Sequence, residues 1–346
     1  MNNKISRRQL LNLGAVATVG AIVNTIDQPS SSASSHASVE PVRLSGLAAE
    51  YDQHDGLGLA ALIAKRQVTP LELLIAVRQR LEAINPKLNA TAQVFFDKAE
   101  AQIKQGLTAG PFRGVPFVLK DLGQALAGTI TTYGSRVFKD NKPDIDSTLV
   151  ARYKRAGLVI FAKTTSPEFG LTTTTESVLF GQTHNPWNLE RTSGGSSGGS
   201  SALVASRVVP MAHGSDGGGS IRIPASCCGL FGLKPTRGRV PMGPTQFEGW
   251  NGCSHHPALT ISVRDSAALL DATAGAEMGS PYFSPAPARL FLKEVGADPG
   301  KLRIALAVAT PAGTPLDPEC KKAALDAAKL CESLGHKIEE VQPPIE

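Results

Sequence analysis

Residues 194–201 read GGSSGGSS, so any fold of this chain must place eight consecutive residues that have almost no side chain. A Gly/Ser linker separates two independently patterned regions and positions nothing. Here the run is embedded instead. Asn185-Pro186-Trp187 precedes it, an apolar helical stretch begins at Ala202, and the composition does not shift across it. That context argues against a linker. A second stretch, Gly217-Gly218-Gly219-Ser220, follows an apolar strand signal at residues 208–212. Backbone N–H groups without side chains can converge on an anion there, as an oxyanion hole requires. An inert Gly-rich turn has the same composition.

The segments around the two runs alternate in type. Thr69-Pro70-Leu71-Glu72 is a capping box with proline at the first helical position, and Leu71, Leu74, Ile75, Leu81 and Ile84 then predict one apolar face up to a stop at Asn85-Pro86. A helix over 97–105 and a buried strand over 115–119 follow, the strand delivering Lys120 at its C-terminal end. Further signals predict a helix over 146–156, strands over 158–162 and 208–212, and finally a strand over 304–308 and a helix over 318–334. Strands alternating with helices predict an α/β layered fold.

Several chemistries are excluded by spacing. No GxxxxGK loop for phosphate is present, and the loosened dinucleotide pattern at residues 56–61 follows no strand. Gly195-Ser196-Ser197-Gly198-Gly199 fits GxSxG, but a nucleophile elbow needs a strand before the serine, and residues 188–192 read as a poor one. The seven histidines show no HxxxH or HExxH spacing for a catalytic metal, and His255 and His256 read as solvated or structural. A nucleophilic serine then needs another base. Lys120 is the candidate, because desolvation lowers an ammonium pKa far enough for a neutral amine to take a proton. A lysine snorkelling from the strand end into water fits the same spacing.

Composition sets the remaining bounds. With 346 residues, 42% hydrophobic and 19% charged, the chain can bury a sizeable core. A net charge of +5 without a basic run, and aromatics at 5%, give no nucleic-acid footprint. Ser6-Arg7-Arg8-Gln9 ahead of a 14-residue apolar run at 10–23 reads as a twin-arginine signal over residues 1–37, with Ser35-His36-Ala37 as a cleavage site. That run is short of the ~20 residues that span a bilayer, so the expectation is export to the periplasm or beyond by the twin-arginine machinery, without a stable membrane anchor. Cys227, Cys228, Cys253, Cys320 and Cys331 are odd in number and lack CxxC spacing, and are expected to be small buried apolar residues.

The segment from Arg191 to Arg239, RTSGGSSGGSSALVASRVVPMAHGSDGGGSIRIPASCCGLFGLKPTRGR, resembles the signature segment of the amidase signature family, and GVPFVLKD at 114–121 is similar to that family's lysine motif. Within the family the look is that of hydrolases of cyclic amide oligomers. The resemblance implies one amidase signature domain over 38–346, a mixed twisted sheet with helices on both faces, and a core that in the family continues past residue 346. It implies Ser220 as acyl-accepting nucleophile, Ser196, after a cis peptide bond, as bridging serine, and Lys120 as base. The N–H groups of Gly217, Gly218, Gly219 and Ser220 would form the oxyanion hole. Asp216 and Arg222 would brace the loop, and Ser197 and Ser200 would hydrogen-bond the triad.

That assignment implies hydrolysis of a C–N bond in a small linear or cyclic amide, with no metal and no cofactor. One departure is Ser215-Asp216-Gly217-Gly218-Gly219-Ser220 where Thr-Asp-Thr/Ile-Gly-Gly-Ser is usual. Two rival readings share the motif: the amidase subunit of a transfer-RNA amidotransferase, against which the export signal counts, and an inactive truncated binding or remnant domain.

Overall fold

The computed structural model describes residues 51–310 and 313–342; the expected signal segment lies outside them. Helix α1 (Gly56–Ala64) is capped by the Asp55 carboxylate. Helix α2 (Pro70–Leu88) has the capping box between Thr69 and Glu72. Its buried stripe is Leu73, Leu74, Val77, Leu81, Ile84 and Leu88, whereas Leu71 and Ile75 are exposed. The expected face is therefore offset by about one position in its first two turns. The helix also runs through Pro86 instead of stopping there. Proline already has a helical φ and forfeits only one hydrogen bond, and continuing the turn buries Leu88 before Asn89 closes it in the left-handed conformation.

Strand β1 (Thr91–Val94) and helix α3 (Phe96–Gln105) lead to β2 (Pro116–Lys120). Helix α4 (Thr148–Arg155) is capped by Ser147 and followed by β3 (Val159–Thr164). These strands form one sheet in the order β1-β3-β2, with β2 and β3 parallel. Every residue of β2 and β3 is buried, as continuous apolar runs at the centre of an α/β layer should be. Each fully buried Val, Leu, Ile or Phe contributes roughly 1.5–3 kcal/mol, which offsets the cost of the two lysines, Lys120 and Lys163, that these strands carry inside.

Two small hairpins come next, β4 (Glu176–Ser177) with β5 (Gly181–Gln182), and β6 (His184–Asn185) with β7 (Asn188–Thr192). The poor strand signal at 188–192 is thus a strand after all. It forms because the turn after Asn185 folds it back on β6, and it stays polar because it is never fully buried. Helix α5 (Gly198–Ala205) starts inside the Gly/Ser run, and β8 (Met211–His213) follows. Helix α6 (Arg222–Cys228), β9 (Phe231–Gly232), β10 (Ala258–Thr260) and α7 (Val263–Thr273) complete this unit. A second three-stranded sheet has the order β8-β10-β9, and its β8 packs beside β2.

Residues from Gly296 onward form a separate compact unit. In it β11 (Arg303–Leu306) and β12 (Lys337–Glu340) are parallel and joined through α8 (Pro318–Ser333), the right order for a β-α-β crossover. The cysteines depart from expectation. All five are free, but only Cys228 is buried, while Cys227, Cys253 and Cys320 are exposed. No helix among the described residues is long and apolar enough to cross a membrane.

Candidate active site

All eight residues of the 194–201 run are buried. A Cβ at Gly195 would meet the Thr174 carbonyl oxygen at 2.4 Å, so the run is glycine-rich because other backbone passes against it. The Gly195–Ser196 peptide bond is cis. Helix α5 opens immediately afterwards, which fixes Ser196 and Ser197 at its entrance.

Lys120, the last residue of β2, is fully buried. Its Nζ lies 2.6 Å from Ser196 Oγ, 2.9 Å from Ser215 Oγ and 3.1 Å from Ser197 Oγ. The snorkelling alternative is thereby excluded. Burial pushes its pKa well below the usual lysine value, and the negative charge of Asp216 opposes that shift without cancelling it. Ser197 Oγ–H is directed at the Ser215 carbonyl, so this hydroxyl accepts a hydrogen bond from the amine and its own proton is already committed. Ser196 Oγ has no other partner among the described residues, which leaves its proton free to move to a neutral Nζ.

The second run is organised by a carboxylate. Asp216 is buried, exchanges two backbone hydrogen bonds with His255, and accepts from the Gly219 N–H at 2.7 Å and the Ile221 N–H at 3.2 Å. Arg222 Nε and Nη2 bind it bidentately, both at 2.9 Å, from a half-exposed position. Hydrogen bonds from Arg222 and the loop overcome burial and hold the Asp216 carboxyl below its ordinary value. Asp216 and Arg222 therefore lie in direct contact at this loop. The same carboxylate takes one of the four N–H groups expected to line the oxyanion hole. The Gly219 N–H is spent on Asp216, because an ionised buried carboxylate must be satisfied, and the N–H groups of Gly217, Gly218 and Ser220 are the ones left over.

Ser220 itself is half-buried, and its Oγ makes no hydrogen bond among the described residues. Ser200 does not reach Lys120. Its hydroxyl donates to the His213 carbonyl at 2.7 Å and contacts Thr164 Oγ1, tying α5 to β8 and β3. The sequence reading missed Ser215 as a partner of Lys120. Its signal was available, since it stands beside Asp216 where the related motif has threonine. The turn at Glu168–Gly170 was missed too, and Gly170 there packs against Ser196: a Cβ would sit 3.0 Å from Ser196 Oγ. Among the described residues no group of three or more His, Cys, Asp or Glu side chains could hold a metal ion.

A buried lysine surrounded by serine hydroxyls, beside a glycine loop with unspent N–H groups on an α/β scaffold, has the parts of a serine hydrolase that uses no histidine base. The amidase family profile matches residues 72–345, and the chain belongs to that family. It is 42% identical over 294 residues to the 6-aminohexanoate-cyclic-dimer hydrolase of Paenarthrobacter ureafaciens, covering 84% of this chain and 59% of the relative. The solved structure of 6-aminohexanoate cyclic dimer hydrolase complexed with substrate superposes with a TM-score of 0.80 at 40% identity, over 84% of this chain and 61% of the other. A bacterial aryl acylamidase of the amidase signature enzymes gives a TM-score of 0.75 at 30% identity, over 84% and 61%. The chain thus spans about three-fifths of the length of these relatives.

Proposed function

We propose that this chain is a serine amidase that hydrolyses the C–N bond of a small linear or cyclic amide through an acyl-enzyme on Ser220. The single observation that carries the reading is the 2.6 Å contact between Ser196 Oγ and an Nζ sealed from water. Neutral Lys120 takes the Ser196 proton as Ser196 takes the Ser220 proton, and the Ser220 oxygen bonds to the amide carbon. The Lys120–Ser196 link is already formed. The Ser196–Ser220 link closes when substrate settles, because catalytic hydrogen bonds that are open in a free enzyme tighten in its complex.

The N–H groups of Gly217, Gly218 and Ser220 receive the developing oxyanion. As the C–N bond breaks, the proton returns along the same path to the departing nitrogen. Water then attacks the Ser220 ester, giving its proton through Ser196 to Lys120; as the ester C–O bond breaks, that proton returns through Ser196 to the Ser220 oxygen and the carboxylic acid leaves. The likeness to hydrolases of a cyclic amide supports the substrate class. Export through the twin-arginine route is proposed with it, on the Ser6-Arg7-Arg8 motif and the short apolar run behind it.

The test is to incubate the purified chain with 6-aminohexanoate cyclic dimer and short linear amides while following released amine, and to weigh the intact protein after a fluorophosphonate. Amine release and one adduct, both lost in Ser220→Ala, are expected. An unlabelled parent chain, or labelling that survives Ser220→Ala, would sink the proposal.

A further inference from the structure

Beneath the lysine lies a feature that the relay does not use. β2 and β8 belong to different sheets, and the backbone N–H of Lys120 has no strand to bond on that side. It donates to His213 Nδ1 at 3.1 Å instead. An imidazole side chain takes the place of a ladder hydrogen bond at the residue proposed as base.

This bond fixes the chemistry of the ring. A backbone N–H only donates, so Nδ1 is the unprotonated nitrogen, and a neutral ring then carries its proton on Nε2. Protonating His213 would set N–H against N–H and break the contact. Nε2 is buried and has no hydrogen-bond partner among the described residues, so nothing on that side draws the ring toward the other tautomer. His256 stacks on it with centroids 5.6 Å apart and planes 10° from parallel, while Tyr153 meets it edge-on. Space for that stack is made three residues after the lysine, at Gly123, whose φ is +78° and where a Cβ would lie 2.3 Å from His256 Cε1.

The charged and titratable groups that face the pair are Lys120 and Lys163 on the strands, Tyr153 edge-on to His213, and His255 beside His256, with Lys234 and Asp216 acting in turn on His255. Burial is the largest cause keeping His213 and His256 neutral, His256 at about 3, and the lysines push the same way.

We propose that His213 is a positioning residue for Lys120: in its Nε2–H tautomer it pins the Lys120 main chain, holds Nζ among its three hydroxyls and away from water, and so keeps the amine neutral. The inference rests on the amidase reading for its kinetic consequence but not for its tautomer. His213→Asn keeps an acceptor at the same distance from the backbone as Nδ1. His213→Leu keeps bulk and removes the acceptor.

Two measurements on the full chain decide it. The rate of fluorophosphonate labelling at Ser220 is followed against pH for the parent and both variants. The parent and His213→Asn should share one midpoint, and His213→Leu should shift it upward by about one pH unit, a roughly tenfold loss of neutral amine at a given pH below the midpoint. A folded His213→Leu chain with the parent midpoint overturns the proposal. If that variant does not fold, His213→Gln, which moves the acceptor one carbon farther, replaces it with the same expectation. Separately, ¹⁵N-histidine spectra between about pH 5 and 9, with His213 assigned by its loss in His213→Asn, should show a neutral ring protonated on Nε2 throughout. A ring protonated on Nδ1, or one that titrates in that range, overturns it. A parent chain that is never labelled would defeat the amidase reading, while the spectra still decide His213.

Discussion

Two lysines sit fully buried on neighbouring parallel strands, Lys120 at the end of β2 and Lys163 near the end of β3. Their surroundings differ in kind. Lys120 faces three serine hydroxyls, and no salt bridge forms on it among the described residues. Lys163 donates to the Ile130 carbonyl at 2.6 Å and to Thr131 Oγ1, and has the Asp121 carboxylate 4.0 Å away. Burial lowers Lys163 only to about 8, because Asp121 pulls it back up. That carboxylate favours the ammonium form of Lys163. Burial lowers both amines, and a carboxylate 4.0 Å away limits the shift at Lys163.

The comparison breaks most visibly in rate. Lys120→Ala should lower hydrolysis by three or more orders of magnitude, the scale for losing a relay member, with a melting temperature close to the parent's. Lys163→Met should keep hydrolysis within about tenfold of the parent but destabilise the chain, since stripping one partner from a buried ion pair costs roughly 3–5 kcal/mol. Paired melting curves and amine-release assays separate the two. Equal losses of rate for both variants would erase the distinction.

Ser215→Asp sharpens it by giving Lys120 what Lys163 already has. A carboxylate there favours the ammonium, so the rising limb of the rate–pH curve should move to higher pH. Ser215→Ala removes one hydrogen bond worth ~0.5–1.5 kcal/mol and should cost about tenfold or less without that displacement.

The smallest effect belongs to Asp121. Burial, opposed by Thr132 and Lys163, raises its pKa from 3.8 to about 6. A carboxyl raised in the folded state binds its proton more tightly there than in the unfolded chain. Its contribution to stability is complete below about pH 4 and is lost as the pH climbs through 6. Stability measured by urea unfolding should show that decline across pH 4–6 in the parent and less of it in Asp121→Asn.

Much of the fold was legible because its signals are local. The Thr69–Glu72 box, the Ser147 cap and the apolar runs of β2 and β3 depend on residues within a few positions of one another. The errors were local signals that distant contacts overrode: Pro86 inside α2, where burial of Leu88 outweighs a lost bond, and β7, held as a strand by its partner β6. The exposed cysteines belong here too, since Cys227 lies on a short helix whose outer face composition does not reveal.

By itself the sequence determined which residue types meet: a lysine ending an apolar strand, and two Gly/Ser runs that leave backbone uncovered. Only the tertiary structure decided how they pair. Lys120 finds Ser196, Ser197 and Ser215 across 76, 77 and 95 positions, and His213 across 93. The Gly219 N–H is claimed by Asp216 because that carboxylate is sealed from water. Proton affinity depends on the dielectric and the partners within a few ångströms, and those are set by segments that the chain brings together only when it folds.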